Sequence, residues 1–325
     1  MRILYLPIHN PSHRIKSLAN VHGLRDALLA AGHEVREWDY CATEEVSFFS
    51  VFERHVEEFN PDILLSQFQG TNYMYPALAL ETKDRNRIWV NFNQDYWPEH
   101  LTAHDMLAML KYVDLQLVAN ASVLPDYAAA GVNAAFWPSS FETSTGELPD
   151  VPAHDVVFLG NNYSAKRQVL YEILRSLPYN VGIYGSGWAQ SEGDCNYDFA
   201  YAEALYKKAK IAISDNQFPE AVASVSNRLF QALAAGGAVV LQQWVAELRE
   251  TTGITNLKHY VLWNEFVDLE ARIKRILAQK NVGLNHIKNT DDIVRDGQVF
   301  VRQHHSYDVR VRELFAMVER VNEHV

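Results

Sequence analysis

The chain has 325 residues, 48% of them hydrophobic and 12% aromatic, enough to bury two cores of ordinary domain size. Its formal net charge of −11 lies almost wholly in the first half, where residues 1–150 hold 10 Lys and Arg against 20 Asp and Glu; this argues against broad nucleic-acid binding and directs an anionic ligand to the second half. No apolar run approaches the roughly 18–20 residues that span a bilayer, the opening MRILYLPIHNPSH breaks too early for a signal peptide, and two distant cysteines, Cys41 and Cys195, form neither a metal pair nor a disulfide framework, so the reading is a soluble cytoplasmic protein.

Met1 to Pro7 predicts a short strand, followed by the polar loop HNPSHR and a helix over 18–31 that Gly32 ends. His33 to Trp38 completes a β-loop-α-β unit of the doubly wound kind, in which ligands bind at the carboxyl ends of strands. A helix over 50–59 stops before Asn60-Pro61, and Asp62 to Gln67 resumes as a strand. QGTNYMYPAL then leads into a further helix, and Ile88 to Phe92 is a buried strand that delivers NQDYWPEH at its carboxyl end. Helices over 101–112 and 123–130 flank the strand Leu115 to Val118, and Ala134 to Trp137 is the last strand of a first domain, 1–145. FETSTGELPDVPA, 141–153, has the composition of a linker.

A second β/α series, 146–304, starts with the strand Val156 to Leu159, which runs into GNNYSAKR and a helix over 168–177. The strand Val181 to Tyr184 ends in GSGW, two-thirds of a dinucleotide fingerprint, since position 190 is Gln and not Gly. A helix over 202–209 precedes the strand Ile211 to Ser214. In SVSNRLFQALAAGGAVVL, 224–241, small polar residues cap an amphipathic helix carrying Val225, Leu229 and Leu233, Gly236 and Gly237 stop it, and an apolar strand follows. The tail alternates more weakly: His259 to Leu262, then helices over 269–279 and 309–321.

Two features of the second series suit an anion. Ser226, Asn227 and Arg228 open a helix whose first N–H groups and fixed charge match a diphosphate. Gly160 and Asn161 form a loop that permits close backbone approach, followed by Lys166 and Arg167. Each pattern also occurs as an ordinary capped helix or a solvated cation pair.

NRLFQALAAGGAVVL resembles the donor-site helix of GT-B glycosyltransferases, closest to the CgeB-like group, and the similarity of motifs extends over about 156–315. The resemblance implies an α/β architecture of two Rossmann-like domains facing across a cleft, with 305–325 crossing back as a helix to the first. It implies a sugar nucleotide, most simply a UDP-sugar, as donor substrate and no separate cofactor. Gly160, Asn161, Lys166, Arg167, Ser226, Asn227 and Arg228 would hold the diphosphate, and Gly185 and Gly187 would lie beside the nucleobase. Gln231 stands where related retaining enzymes carry a ribose-binding Glu, and the partner Glu of that pair is absent near Ala223.

On the acceptor side Asp95, His100 and His13 are the candidate catalytic groups, because a general base needs a carboxylate or imidazole near the acceptor hydroxyl. His100 and His104 have helical metal-ligand spacing but lack an adjacent Glu and a third ligand. No Asp-Xaa-Asp triplet occurs, so neutralisation of the leaving group falls to Arg, Lys and helix N-termini, and metal-independent transfer is the expectation. The acceptor is open among a surface glycan, a protein, a metabolite and a hydroxylated DNA base. A non-catalytic nucleotide-sugar binding subunit and a nicotinamide-dependent oxidoreductase are the competing readings.

Overall fold

Ile63–Ser66, Leu115–Val118, Val156–Leu159 and Ile211–Ser214 are buried along their whole length, as strands covered on both faces must be. The computed structural model describes residues 1–7, 19–40, 48–68, 87–93, 110–193, 198–278 and 289–322. Outside these lie the His9 to Arg14 loop, Cys41, the QGTNYMYPAL segment, Asp95, His100, His104, most of the helix expected over 101–112, and Cys195.

One sheet contains β1 (Arg2–Leu6), β2 (Glu34–Glu37), β3 (Ile63–Ser66), β4 (Ile88–Asn93), β5 (Leu115–Val118) and β6 (Ala134–Phe136), in the order β2-β1-β3-β4-β5-β6. The other contains β7 (Val156–Leu159), β8 (Val181–Tyr184), β9 (Ile211–Ser214), β10 (Val239–Gln243) and β11 (Val261–Trp263), in the order β11-β10-β9-β7-β8. Every pairing of these strands is parallel. The helices are α1 (Ala19–Ala30), α2 (Phe48–Phe59), α3 (Leu124–Ala129), α4 (Ala165–Ser176), α5 (Phe199–Lys208), α6 (Asn227–Ala235), α7 (Leu248–Thr252), α8 (Phe266–Ala278), α9 (Thr290–His304) and α10 (Tyr307–Asn322).

In the second sheet the chain leaves β7 for β8 on one side and returns to β9 on the other. The carboxyl ends of β7 and β9 therefore flank a topological switch point, where open α/β sheets form their crevice. Register brings those ends level, Val156 opposite Ile211 and Phe158 opposite Ile213.

Two stretches of chain cross between the sheets. Phe141 bridges to Ser306 in parallel, the indole N–H of Trp137 donates to the Arg310 carbonyl at 3.1 Å, and Arg310 Nε donates to the Pro138 carbonyl at 2.9 Å. Beyond this crossing α10 lies on α1, and Tyr307, Val311, Leu314, Val318 and Val321 enter the same apolar cluster as Ile3, Tyr5, Leu24 and Leu28.

Several boundaries differ from the sequence reading for local reasons. Helix α4 begins at Ala165 and not near 168, because the Ser164 hydroxyl caps it by accepting from Arg167 N; Lys166 and Arg167 thus stand in the first turn and not in the loop before it. Helix α6 begins at Asn227 with Ser226 as its cap, which leaves Val225 outside the helix. Gly236, at φ 72°, closes it in the left-handed conformation that glycine adopts without a side-chain penalty. Helices α7 and α9 have no counterpart in the sequence reading. The linker composition of 141–153 conceals two buried apolar anchors, Phe141 and Val151.

Candidate functional site

The switch point of the second sheet gathers the charged groups that the sequence left scattered. Asp215, the residue after β9, is 3% exposed at its side chain and accepts a bidentate pair from Arg167, Nε to Oδ2 at 3.0 Å and Nη2 to Oδ1 at 3.0 Å. Arg228, from the first turn of α6, reaches the same carboxylate, Nη1 to Oδ1 at 2.9 Å, and its Nε donates to the Leu159 carbonyl at the end of β7. Arg167 Nη1 donates to the Asn161 carbonyl at 2.6 Å. Lys166 Nζ donates to the Asn216 carbonyl and, at 2.9 Å, to Gln243 Oε1 at the end of β10.

Two guanidiniums thus share one buried carboxylate, an excess of one positive charge where Coulomb interactions are weakly screened, and the Lys166 ammonium stands beside them on Asn216 and Gln243. Burial pushes the Asp215 carboxyl up, but the Arg228 and Arg167 guanidiniums outweigh it and hold it below the usual carboxylate range. Burial lowers Lys166, partly offset by Asp215 and Glu220. The positive N-terminal end of α6 is tied to the same strand end, where Ser226 N donates to Asn216 Oδ1 at 2.9 Å. Net positive charge beside a helix N-terminus suits an anionic group.

Gly160 follows from the path of Arg228: a Cβ there would lie 2.6 Å from Arg228 Nη2 and 3.1 Å from the Phe158 ring, so only glycine lets the guanidinium pass. Asn161 and Asn162 tie this loop to the end of β8. Asn161 Oδ1 accepts from Ser186 N at 2.9 Å, and Asn162 Nδ2 donates to the Gly187 carbonyl at 3.2 Å. Gly185 and Gly187 therefore sit beside the cluster, one strand further out. Trp188 is a core residue, its N–H donating to the Gly160 carbonyl at 2.7 Å and its ring stacked on Tyr171.

Arg167 and Arg228 are both committed to Asp215 and offer a ligand only their remaining donors. Asp215, Asn216 and Gln243 went unrecognised in the sequence. The signal was a polar Asp-Asn pair directly after the apolar run Ile211–Ser214, at a position where polar residues ordinarily make turns.

Gln231 is also committed, and to the protein itself. Its Nε2 donates to the Glu142 carbonyl at 2.7 Å and its Oε1 accepts from Glu142 N at 3.0 Å. The pairing uses one donor and one acceptor, which an amide supplies and an ionised glutamate does not. The Glu142 carboxylate in turn accepts from Gly23 N in α1 and lies against Tyr5 and Tyr307. Burial raises it to about 7, opposed by the Gly23 hydrogen bond, while Asp26 raises it further and Arg25 lowers it.

A second contact joins loops of the two sheets. The loop after β9 meets the turn after β5, where Ala121 N donates to the Val222 carbonyl at 3.0 Å. Asp95, His100 and His13 lie outside the described residues. Among the described residues no group of three or more His, Cys, Asp or Glu side chains is placed to hold a metal, and no helix is long and apolar enough to cross a membrane.

Residues 166–316 match the family described as "Glycosyl transferase-like", and that span contains Lys166, Arg167, Asp215 and Arg228. No curated protein matches the chain in sequence. Among solved structures, a glycosyltransferase from Rickettsia africae ESF-5 superposes with a TM-score of 0.65 at 11% identity, covering 100% of this chain and 99% of its own. An α-glucosyltransferase in complex with UDP and a 13-mer DNA containing an HMU base gives 0.64 at 11% identity, with coverage of 98% and 99%. A trehalose-6-phosphate enzyme from E. coli bound with UDP-2-fluoro glucose gives 0.60 at 11% identity, with coverage of 99% and 99%. What they share with this chain is the GT-B fold, two parallel α/β sheets each flanked by helices.

Proposed function

We propose that this chain, a glycosyltransferase of the GT-B fold, takes its sugar from a UDP-sugar held at the carboxyl ends of β7, β9 and β10 and passes it to an acceptor hydroxyl presented by residues 1–145. The observation that carries this reading is the convergence of Arg167 and Arg228 on Asp215 at the switch point, with Lys166 beside them on Asn216 and Gln243, next to the N-terminus of α6. A diphosphate leaving group develops negative charge as the glycosidic bond breaks, and fixed cations stabilise it as it forms. Gly160, Asn161, Ser226 and Asn227 would line that diphosphate, with Gly185 and Gly187 towards the nucleoside. Lys, Arg and helix N–H groups meet the charge without a metal, so transfer is metal-independent. Within the GT-B enzymes the residues of α6 ally the chain most closely with the CgeB-like group, and a cytoplasmic enzyme would meet UDP-sugars where they are made.

Titration of the full chain with UDP tests the site, and release of UDP from a UDP-sugar in the presence of EDTA tests the reaction and its metal independence. A chain that binds no UDP overturns the reading; turnover abolished by EDTA overturns only the metal-independent part.

Lys166 gives the cleanest test of the diphosphate contact, because it touches Asn216 and Gln243 rather than the Asp215 carboxylate. Lys166→Met is expected to weaken UDP binding by roughly 10- to 100-fold, the loss of one charge-assisted contact of about 1.5–3 kcal/mol, with little change in stability. An unchanged UDP affinity by calorimetry would return Lys166 to a structural role.

Asp95 remains the proposed acceptor-side group, with His100 and His13 behind it, since it follows β4 at the end where such folds place chemistry. Asp95→Asn is expected to reduce turnover by roughly 10²-fold or more while UDP affinity stays within about twofold. Near-normal turnover would move the role to a histidine.

A further inference from the structure

Beside the crossing between the two sheets, and sharing no residue with the cluster around Asp215, lies a cavity of about 470 Å³. Its walls come from Phe136 to Pro138 at the end of β6, from Thr251 and Thr252 of α7, and from one side each of α9 and α10. The volume falls within the roughly 300–1,000 Å³ of small-molecule sites, which favour domain junctions. Helix α10 is two-faced here. Tyr307, Val311, Leu314, Val318 and Val321 pack into the first sheet's cluster, whereas Arg310, Glu313, Met317 and Arg320, three and four residues apart, line the cavity.

Arg310 is 2% exposed and only partly satisfied. Its Nε donates to the Pro138 carbonyl, Nη1 to Glu313 Oε2 at 2.8 Å and Nη2 to His305 Nδ1, so of the five guanidinium N–H groups one on each Nη has no partner among the described residues. His305 adds no charge: its Nε2 donates to the Thr252 carbonyl at 2.9 Å while Nδ1 accepts from Arg310, and burial together with the Arg310 guanidinium lowers its pKa to about 3. The Thr251 and Thr252 hydroxyls already donate to carbonyls of Glu247 and Leu248. Donors for a ligand therefore come from Arg310 at the floor and Arg320, which is exposed, at the mouth. Against them stands one lining carboxylate, Glu313, which leaves a local excess of one positive charge in a chain of net charge −11. Phe136, Trp137, Phe300 and Met317 make the rest of the wall apolar. Inorganic phosphate would leave that surface in water, and a neutral hydrocarbon would leave the remaining Arg310 donors unmet.

We propose that this cavity binds a small organic anion, one acidic group on an aromatic or branched apolar body, with the acid on Arg310 and Arg320 and the body against Phe300 and Met317. The site is separate from the sugar-nucleotide site and does not depend on that reading. Because its walls belong to β6, α7, α9 and α10, the occupant touches both halves of the chain at the place where they are joined.

The test is fluorescence titration of the full chain with anilinonaphthalene sulfonate, an aromatic body with one fixed negative charge, and with N-phenylnaphthylamine, the same body without the charge. The sulfonate is expected to saturate one site per chain, to stay bound in saturating UDP, and to bind roughly 10-fold or more tighter than the neutral amine. Arg320→Glu should weaken the sulfonate by roughly 10-fold or more. Ala316→Trp, which fills the mouth from an exposed position, should abolish its binding, and both variants should unfold at the wild-type temperature. Displacement by UDP would put the probe in the switch-point site and overturn the assignment. Equal binding of the neutral amine, unaltered binding in either variant, or no binding to the wild type would overturn it as well.

Discussion

Asp215→Asn is expected to lower the unfolding free energy by about 3–5 kcal/mol, because it strips the shared counter-charge from two buried guanidiniums and leaves them facing each other. The Arg167 side chain is 5% exposed and that of Arg228 11%, so water cannot take the place of the carboxylate. At about 2.1 cal/mol/K of unfolding entropy per residue, each kcal/mol is worth about 1.5 °C in a chain of 325 residues, and the midpoint of thermal unfolding should fall by about 4–7 °C. The sign of the pH dependence follows from the depressed carboxyl: its contribution is present above the unfolded value near 3.8 and is lost only as pH falls below that, through the lower folded value. Denaturant unfolding of wild type and variant at pH 7 checks the magnitude. A loss under about 1 kcal/mol would mean that the arginines are solvated and the cluster is not buried as described.

Glu142→Gln should act in the opposite direction. The carboxyl is raised to about 7 from an ordinary value of 4.5, so the folded chain holds a proton that the unfolded chain releases across that interval. Its contribution to stability is therefore complete below pH 4.5, declines as pH rises, and is gone above about 7. At about 1.4 kcal/mol per pKa unit, the wild type loses about 3 kcal/mol from this group over the interval. Tyr5 of β1, Tyr307 of α10, and Asp26 and Arg25 of α1 are the titratable groups that surround it. Gln retains an acceptor for Gly23 N and carries no charge, so the variant should match the wild type at pH 5 and exceed its stability at pH 8. Parallel unfolding curves at the two pH values decide this; an equal offset at both would show that the carboxyl does not titrate in that range.

The strands were legible because burial on both faces demands continuous apolar runs, as in Val156–Leu159 and Ile211–Ser214, and such runs stand out in a sequence. Helix α9 was not. Its buried residues are Ile293, Gly297 and Val301, a stripe one residue wide with a glycine at its centre, and helical periodicity needs a broader face to be seen. That glycine is required by packing, since a Cβ at position 297 would lie 2.5 Å from the His259 carbonyl oxygen. The cations of the site were legible individually, Arg228 from its place after a capping serine and Lys166 with Arg167 from a glycine-led loop. Asp215, the common partner of the two arginines, was not, because its role arises from two segments 48 and 13 residues away meeting at one carboxylate oxygen. Glu142 was hidden for the related reason that a polar linker composition says nothing of which side chain the fold encloses.

The return of α10 to the first sheet has a consequence for biosynthesis. Leu24 and Leu28 of α1 and Ile3 of β1 share one apolar cluster with Val311, Leu314 and Val318, nearly 300 residues later in the chain. A ribosome delivers the early strands long before their last packing partners, so the first sheet must wait with part of one face uncovered while the second completes its own layers. The vectorial order in which domains usually mature is thereby reversed for the final step: the portion made first is the last to close. A chaperone that shelters nascent apolar surface would find its longest-lived target on the α1 face, and a stop codon before Tyr307 would leave that face open for good.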